Sequence, residues 1–375
     1  MHYLDHNATS PLRPEAKVAM ERALTIGGNP SSVHGAGRAA RAMIEQAREQ
    51  IATLVRARAQ EVIFTSGGTE ANASALRGAV EGALQADERI TRLFVSGIEH
   101  DSVLANAAAL AERIPGLRVE TIPVTTDGVV DEHALRVALR EGKGRALVAL
   151  MAANNETGVI QPINEVSLLA REANALLFID AVQAAGKVMM DFSAADYLSL
   201  SAHKIGGPQG VGALIVKDGV PFARQSIGGN QERGMRAGTE NVSGVAGFGA
   251  AASVAGSDNV SLRDRFEREL PPSAVVFGAG FPRLPNTSNF ALPGIAAEIA
   301  VMAFDLDGVM VSSGSACSSG KVKPSHVLKA MGVPDDLARC GLRASFGWNS
   351  TENDVDAALA SIVRLVARAE KREAA

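Results

Sequence analysis

Between about residues 60 and 220, short apolar runs alternate with stretches of helical spacing. The runs at 61–66, 92–97, 118–124, 146–153, 175–181, 197–202 and 212–217 are rich in Val, Ile, Leu and Phe. Several carry no polar alternation, the signature of strands covered on both faces. Residues 69–85, 101–114, 131–140 and 163–173 instead show the 3.6-residue habit, as with Ala134, Leu135, Val137, Ala138 and Leu139. This alternation predicts an α/β chain whose large domain is built on a mainly parallel seven-stranded sheet with helices on both faces. After about residue 250 the texture changes. A small polar stretch at 253–259 precedes a charged helical segment at 262–270, strands at 274–277 and 287–292, and a helix at 296–306. A Ser/Gly-rich loop at 312–320 and an amphipathic helix at 353–371 follow. These predict a smaller α/β C-terminal domain. The expected division is 16–252 for the large domain and 253–375 for the small one, with residues 1–15 packing on the latter.

Composition narrows the class. The chain has 375 residues, 46% hydrophobic and 21% charged, enough apolar material for a packed core and a poor match to disorder. A net charge of −4 argues against a nucleic-acid or anionic-membrane binder. No run approaches a membrane span, and the start, with Asp5 and no apolar core, does not read as a secretory signal. Two cysteines, Cys317 and Cys340, exclude a disulfide scaffold. A soluble cytoplasmic protein without nucleic-acid or membrane partners is expected, and no metal site.

The chemistry-bearing residues fall at predicted strand ends, where open parallel sheets bind ligands. Gly67-Gly68-Thr69-Glu70 joins a strand to a helix: its glycines admit a close ligand, Thr69 can cap the helix, and the helix amides favour an anion. An ordinary capped turn would look the same. Asp180 closes an apolar strand and should have a cationic partner or a bound ligand, with Gln183 three residues on. Ser201, His203 and Lys204 end another strand. Lys204 is either an exposed loop lysine or a desolvated amine suited to Schiff-base chemistry. His100 ends a further strand, as an acid–base group or a helix cap. A lysine, a carboxylate and a helix N-terminus with hydroxyls are together what pyridoxal 5'-phosphate requires: an amine for its aldehyde, an anion to keep the ring nitrogen protonated, and a phosphate seat.

Several motifs carry a resemblance. They are Tyr3-Leu4-Asp5-His6-Asn7-Ala8-Thr9, Gly28 to His34, Phe64 to Asn72, Asn154-Asn155-Glu156-Thr157-Gly158, Asp180 to Gln183, Ser201 to Lys204, Arg233 to Asn241 and Ser312 to Ser319. In order and spacing, over nearly the whole chain, they resemble the NifS/IscS-like cysteine desulfurases of the class V aminotransferase group. The resemblance implies a fold type I pyridoxal phosphate enzyme and a homodimer with the cofactor near the subunit interface. It gives Lys204 the Schiff base, Asp180 the pyridinium nitrogen, Gln183 the phenolic oxygen and His100 the ring face. Gly68, Thr69, Ser201 and His203 would hold the phosphate, joined by Thr239 from the partner subunit. Asn155 would touch cofactor or substrate, and Arg343 would bind the substrate carboxylate; a domain-interface salt bridge is the plainer role for Arg343.

Cys317, among small residues in the loop, becomes the candidate nucleophile, whereas Cys340 reads as structural. The implied reaction converts L-cysteine to L-alanine. Lys204 removes the α-proton, His100 carries protons, and the Cys317 thiolate takes the sulfur as a persulfide. A sulfur-acceptor protein, such as an iron–sulfur scaffold or a thiolation partner, would follow. A selenocysteine lyase or another class V lyase or aminotransferase is the alternative; neither a strict aminotransferase nor a non-catalytic subunit needs Cys317. His6, Ser74 and the short 253–260 linker depart from the family pattern.

Overall fold

The computed structural model describes residues 1–256, 259–314 and 324–373. Strand β1 (His2–Tyr3) opens the chain. Helices α1 (Pro14–Ile26) and α2 (Gly35–Val55) then lead into the large sheet. Its strands are β2 (Val62–Thr65), β3 (Ile90–Ser96), β4 (Arg118–Ile122), β5 (Arg145–Met151), β6 (Leu176–Asp180), β7 (Tyr197–Ser201) and β8 (Gly212–Val216). All seven lie within a residue or two of the apolar runs. They are arranged β2-β8-β7-β6-β5-β3-β4, parallel throughout except that β8 runs antiparallel to both its neighbours. The carboxyl ends of β2, β3, β5, β6 and β7 therefore open on one edge.

Each central strand is buried on both faces. Leu147, Ala149, Leu176 and Phe178 join one apolar cluster, with Leu76 and Val80 of α3 (Gly68–Gln85) and Val103 and Leu110 of α4 (Asp101–Arg113). Val148, Leu150, Leu177 and Ile179 face the opposite cluster, built with α2, α5 (Glu132–Glu141), α6 (Ile163–Glu172) and α7 (Val242–Ser253). The period-two alternation thus sorts side chains to two covered faces. The expected elements do not include α1, α2 or α7, although α2 repeats apolar residues at helical spacing in Ala40, Ile44, Ala47, Ile51 and Val55. Helix α7, VSGVAGFGAAAS, has no polar face to mark a period. Its small residues serve close packing: a side chain at Gly249 would meet the α2 backbone at Ala47 at 2.6 Å.

The remaining elements are α8 (Val260–Arg268), β9 (Val275–Val276), β10 (Thr287–Ala291), α9 (Ala297–Leu306), β11 (Val309–Met310), β12 (Ser312–Ser313), α10 (His326–Ala330), α11 (Asp335–Ala338), β13 (Gly341–Ser345) and α12 (Glu352–Glu373). Most of them build a third apolar cluster, while α10 and α11 pack in a fourth with Ile98 and Met151 from the large-sheet side. Strands β12-β13-β10-β9 make an antiparallel sheet. Phe266 sits edge-on to Phe290 and Phe346 at 5.3 and 6.1 Å. The chain start belongs here: β1 pairs parallel with β11, and Leu4 is wholly buried in the third cluster. Residues 5–13 then cross to the carboxyl edge of the large sheet, where Ser10 N–H donates to the His203 carbonyl at 2.8 Å.

One buried ion pair fixes an unusual turn. Glu232 and Arg233 both hold left-handed backbone, φ 45° and 57°, a conformation that costs about 1–3 kcal/mol per non-glycine residue. Glu232 is tied down by a two-pronged pair with Arg48 (2.7 and 3.0 Å) and by the Phe64 N–H (2.9 Å). Removing one buried partner strands the other charge. Arg48→Met should lower the unfolding free energy by about 3–5 kcal/mol in a urea titration, and adding Glu232→Leu should restore most of it. A loss under about 1 kcal/mol for the single change would contradict this role.

Candidate active site

A cavity of about 1000 Å³ opens at the carboxyl edge of the large sheet, and residues from nearly every motif line it. Lys204 closes the single 3-10 turn that follows β7. Its Nζ donates to the main-chain carbonyls of Asn7 (2.6 Å) and Ala8 (2.9 Å). Gln183 Nε2 donates to that same Asn7 carbonyl at 3.0 Å. The Asn7 side chain is buried and fully engaged. Its Oδ1 accepts from Lys187 Nζ (2.9 Å) and Asn286 (3.2 Å), and its Nδ2 donates to Thr287 Oγ1 (2.9 Å) and the Asn155 carbonyl (3.2 Å).

Asp180 ends β6 and faces the cavity, 5% exposed. Its Oδ1 accepts the Val182 N–H (2.9 Å) and its Oδ2 accepts from Asn72 Nδ2 (2.7 Å). The same Asn72 nitrogen donates to Ser102 Oγ at 2.9 Å. Ser102 N–H donates in turn to His100 Nδ1 (3.1 Å), so His100 caps α4. With Nδ1 an acceptor, the proton of the neutral ring belongs on Nε2. His100 is thus both the cap and a cavity-lining imidazole.

The α3 N-terminus corrects one expectation. Thr69 does not cap that helix; Gly67 does, and the helix begins at Gly68. A Cβ on Gly68 would lie 3.0 Å from Val182 Cγ2 and 3.3 Å from Ser201 Cβ, so glycine is what lets the helix start this deep. Gly68, Thr69, Ser201 and His203 converge there, beside first-turn amides that have no acceptor within the helix. Ser201 Oγ is buried with no hydrogen-bond partner among the described residues. A polar oxygen next to a helix N-terminus is a seat for an anion.

Arg343 lies on β13, buried, across the cavity from Lys204's sheet. Nη2 pairs with Asp5 at 2.7 Å and Nη1 donates to the Asn155 carbonyl at 3.0 Å, while Nε has no partner among the described residues. The plainer salt-bridge role is therefore real, and it coexists with a place on the cavity wall. Asn155 lines the cavity too. Cys317 lies outside the described residues, but Gly314 and Pro324, which flank its segment, both line the cavity. Cys340 is buried among Ile98, Met151, Phe277 and Leu328 and fits a structural role.

The model for the aminotransferase class-V family matches residues 2–358. A cysteine desulfurase of Cereibacter sphaeroides is 47% identical over 94% of this chain and 92% of its own length. An IscS-like cysteine desulfurase of Mycobacterium tuberculosis is 41% identical over 99% of this chain and 98% of its own. The chain belongs to the class V aminotransferases, in their cysteine desulfurase group. The solved structure of a NifS-like protein from Rickettsia africae superposes with a TM-score of 0.87 at 33% identity, over 98% of this chain and 99% of that one. These relatives carry the fold type I architecture that the motifs implied.

Thr239, expected to act in the partner subunit's site, is exposed and does not line the cavity of its own chain. It follows Arg236, whose guanidinium pairs with Glu70 beside Thr69 at 2.8 Å. Conversely, the sequence pattern assigned no part to Asn7, Asn72, Ser102 or Lys187. Asn7 and Asn72 sit inside the quoted motifs, but nothing in a lone asparagine shows what it bonds. Among the described residues, no helix is long and apolar enough to cross a membrane, and no trio of His, Cys, Asp or Glu is grouped to hold a metal.

The site is crowded with cationic groups. Burial, with Lys204 and Lys187 nearby, pushes the His203 pKa down to about 4; burial and Lys187 do the same to His6. Both are neutral in the folded protein at pH 5, whereas in the unfolded chain they titrate near 6.5. Stability held above pH 6.5 should therefore be lost as pH falls from about 6.5 to about 4, by up to about 1.4 kcal/mol per pH unit for each histidine that differs by a whole proton. Denaturant titrations at pH 7 and 5 would show it, and His6→Asn should flatten part of the slope. An unchanged slope would contradict the assignment of His6.

Proposed function

We propose that this protein is a pyridoxal phosphate-dependent cysteine desulfurase that converts L-cysteine to L-alanine and holds the sulfur as a persulfide on Cys317. The observation that carries the reading is convergence. Lys204, Asp180, Gln183, the unpartnered Ser201 Oγ and Arg343 line one cavity, on whose wall both ends of the Cys317 segment lie. Their chemistry fits the cofactor. Lys204 supplies the amine, Asp180 the anion for the ring nitrogen, and Gln183 a donor for the phenolic oxygen. His100 would lie against the ring, and Gly68, Thr69, Ser201 and His203 would take the phosphate. Bound there, the cofactor would draw off the electron pair left when the substrate's α-proton is removed.

The protein's own groups do the rest. Arg343 offers the substrate carboxylate its Nε–H, which has no partner among the described residues, while Asp5 and the Asn155 carbonyl fix the plane of the guanidinium. Lys204 Nζ takes the α-proton, and His100 Nε2 holds and returns one. The Cys317 thiolate attacks the substrate sulfur. The carbon–sulfur pair stays with carbon, which a proton completes, so L-cysteine and a thiol become L-alanine and a persulfide. The thiolate, not the thiol, is the competent form. In this reading the chain works as a homodimer in the cytoplasm, the partner subunit's Thr239 completing the phosphate seat. The chain divides near residue 253, and an acceptor protein of the iron–sulfur or thiolation type takes the sulfur.

The test is alanine and sulfide release from L-cysteine with a thiol reductant. Lys204→Ala should abolish both products, and Cys317→Ala should abolish both while keeping the yellow cofactor. A Cys317→Ala protein that turns over cysteine at the wild-type rate would favour a lyase or aminotransferase instead. Arg343→Lys should raise KM for L-cysteine at least about tenfold with a smaller effect on kcat, since the charge-assisted bond from Nε is lost. A change in kcat alone would remove Arg343 from substrate binding.

A further inference from the structure

Lys187 is a buried-side amine that the reaction above does not use, and it does not line the cavity. Its Nζ donates to Gln183 Oε1 at 2.7 Å and to Asn7 Oδ1 at 2.9 Å. On its other end, the Gln183 amide meets the Asn7 main-chain carbonyl, 3.0 Å from Nε2. A carbonyl only accepts, and the Lys187 amine, set against two oxygens, is placed as a donor to both. The two ends of this amide therefore have partners that permit a single orientation, with the oxygen toward Lys187 and the NH2 group toward Asn7 and the cavity. The Asn7 carbonyl alone disfavours the turned-over amide, which would set two acceptors against each other, and Lys187 adds a second constraint at the opposite end.

We propose that Lys187 is a positioning residue that fixes the polarity of the Gln183 amide, so that this side chain always offers the cavity a donor. The ligand atom it selects is an anionic or acceptor oxygen. The inference rests on the reading that pyridoxal phosphate occupies the cavity, where that atom is the phenolic oxygen. Lys187 follows Gln183 in a tight turn, its Nζ is drawn inward to two oxygens rather than to a carboxylate, and burial together with Lys204 and Arg343 holds its pKa well below the usual lysine range. Burying an amine beside another lysine is costly, and its two hydrogen bonds to oxygen offset part of that cost.

The experiment compares cofactor-free protein binding pyridoxal phosphate and 3-deoxypyridoxal phosphate, which lacks only the phenolic oxygen. The readout is the ratio of the two dissociation constants, which a general loosening of the site would leave unchanged. Lys187→Met and Gln183→Leu should each reduce the wild-type preference for pyridoxal phosphate by about tenfold, the size of one hydrogen bond to a charged oxygen. The double variant should lose no more than either single one, and Lys187→Arg, which keeps a donor, should retain the preference. If Lys187→Met does not fold, as judged by its thermal melt, Lys187→Ala takes its place. A lysine variant with the wild-type ratio, beside a Gln183→Leu variant that has lost it, would overturn the inference. Wild-type protein that binds neither compound would instead overturn the cofactor reading, and this inference with it.

Discussion

The site depends on one main-chain carbonyl. Asn7 O accepts from both Lys204 Nζ and Gln183 Nε2, two groups delivered by different strand ends of the large sheet. The same residue's amide reaches Thr287 and Asn286 of the smaller cluster, and its N–H donates to Ser345 Oγ at 2.9 Å. A buried polar group left unpaired costs about 1–3 kcal/mol, so a residue with every polar atom matched by a partner from a different element fixes those elements relative to one another. The crossing segment 5–13 is in this sense the strap that brings Lys204 and Arg343 to one cavity: Asp5 holds Arg343, Asn7 holds Lys204, and Ser10 holds the 3-10 turn.

Around that strap several cations cluster. Lys204, Lys187 and Arg343 stand close enough to influence one another, and His203 is kept neutral beside them. Asp180, Asp101 and Glu156 also line the cavity, and Asp5 pairs with Arg343. The places that favour an anion are local, the α3 N-terminus on one side and the Arg343 guanidinium on the other. Glu99, buried behind the site with its pKa pushed up to about 8 by desolvation, adds no negative charge at neutral pH.

How much of this was legible depended on whether the signal was local. The seven large-sheet strands were readable because two covered faces demand uninterrupted apolar runs, as in Leu176–Asp180. Lys204, Asp180 and Ser201 were readable because strand ends are where such residues have few other reasons to be. Helix α7 was not, since an Ala/Gly helix buried on most sides has no amphipathic period. The pairing of Ser312–Ser313 with β13 was not, because two serines carry no strand signal of their own. The part played by Asn7 is largely a main-chain carbonyl, which no side chain announces. Lys187 resembles any lysine in a turn until its two acceptors are seen, and the Thr69 cap was misplaced because the glycine beside it yields to packing against Val182 and Ser201.

The central claim, that this cleft moves sulfur from a free amino acid to a protein thiol, is tested most directly by trapping the product on the chain. Protein exposed to one equivalent of L-cysteine without reductant would be alkylated at once, digested, and its two cysteine peptides weighed by mass spectrometry. The account predicts one added sulfur on the Cys317 peptide, none on that of the buried Cys340, and an equivalent of alanine in solution. Alanine formed with no sulfur on Cys317, or the added sulfur found on Cys340, would contradict it.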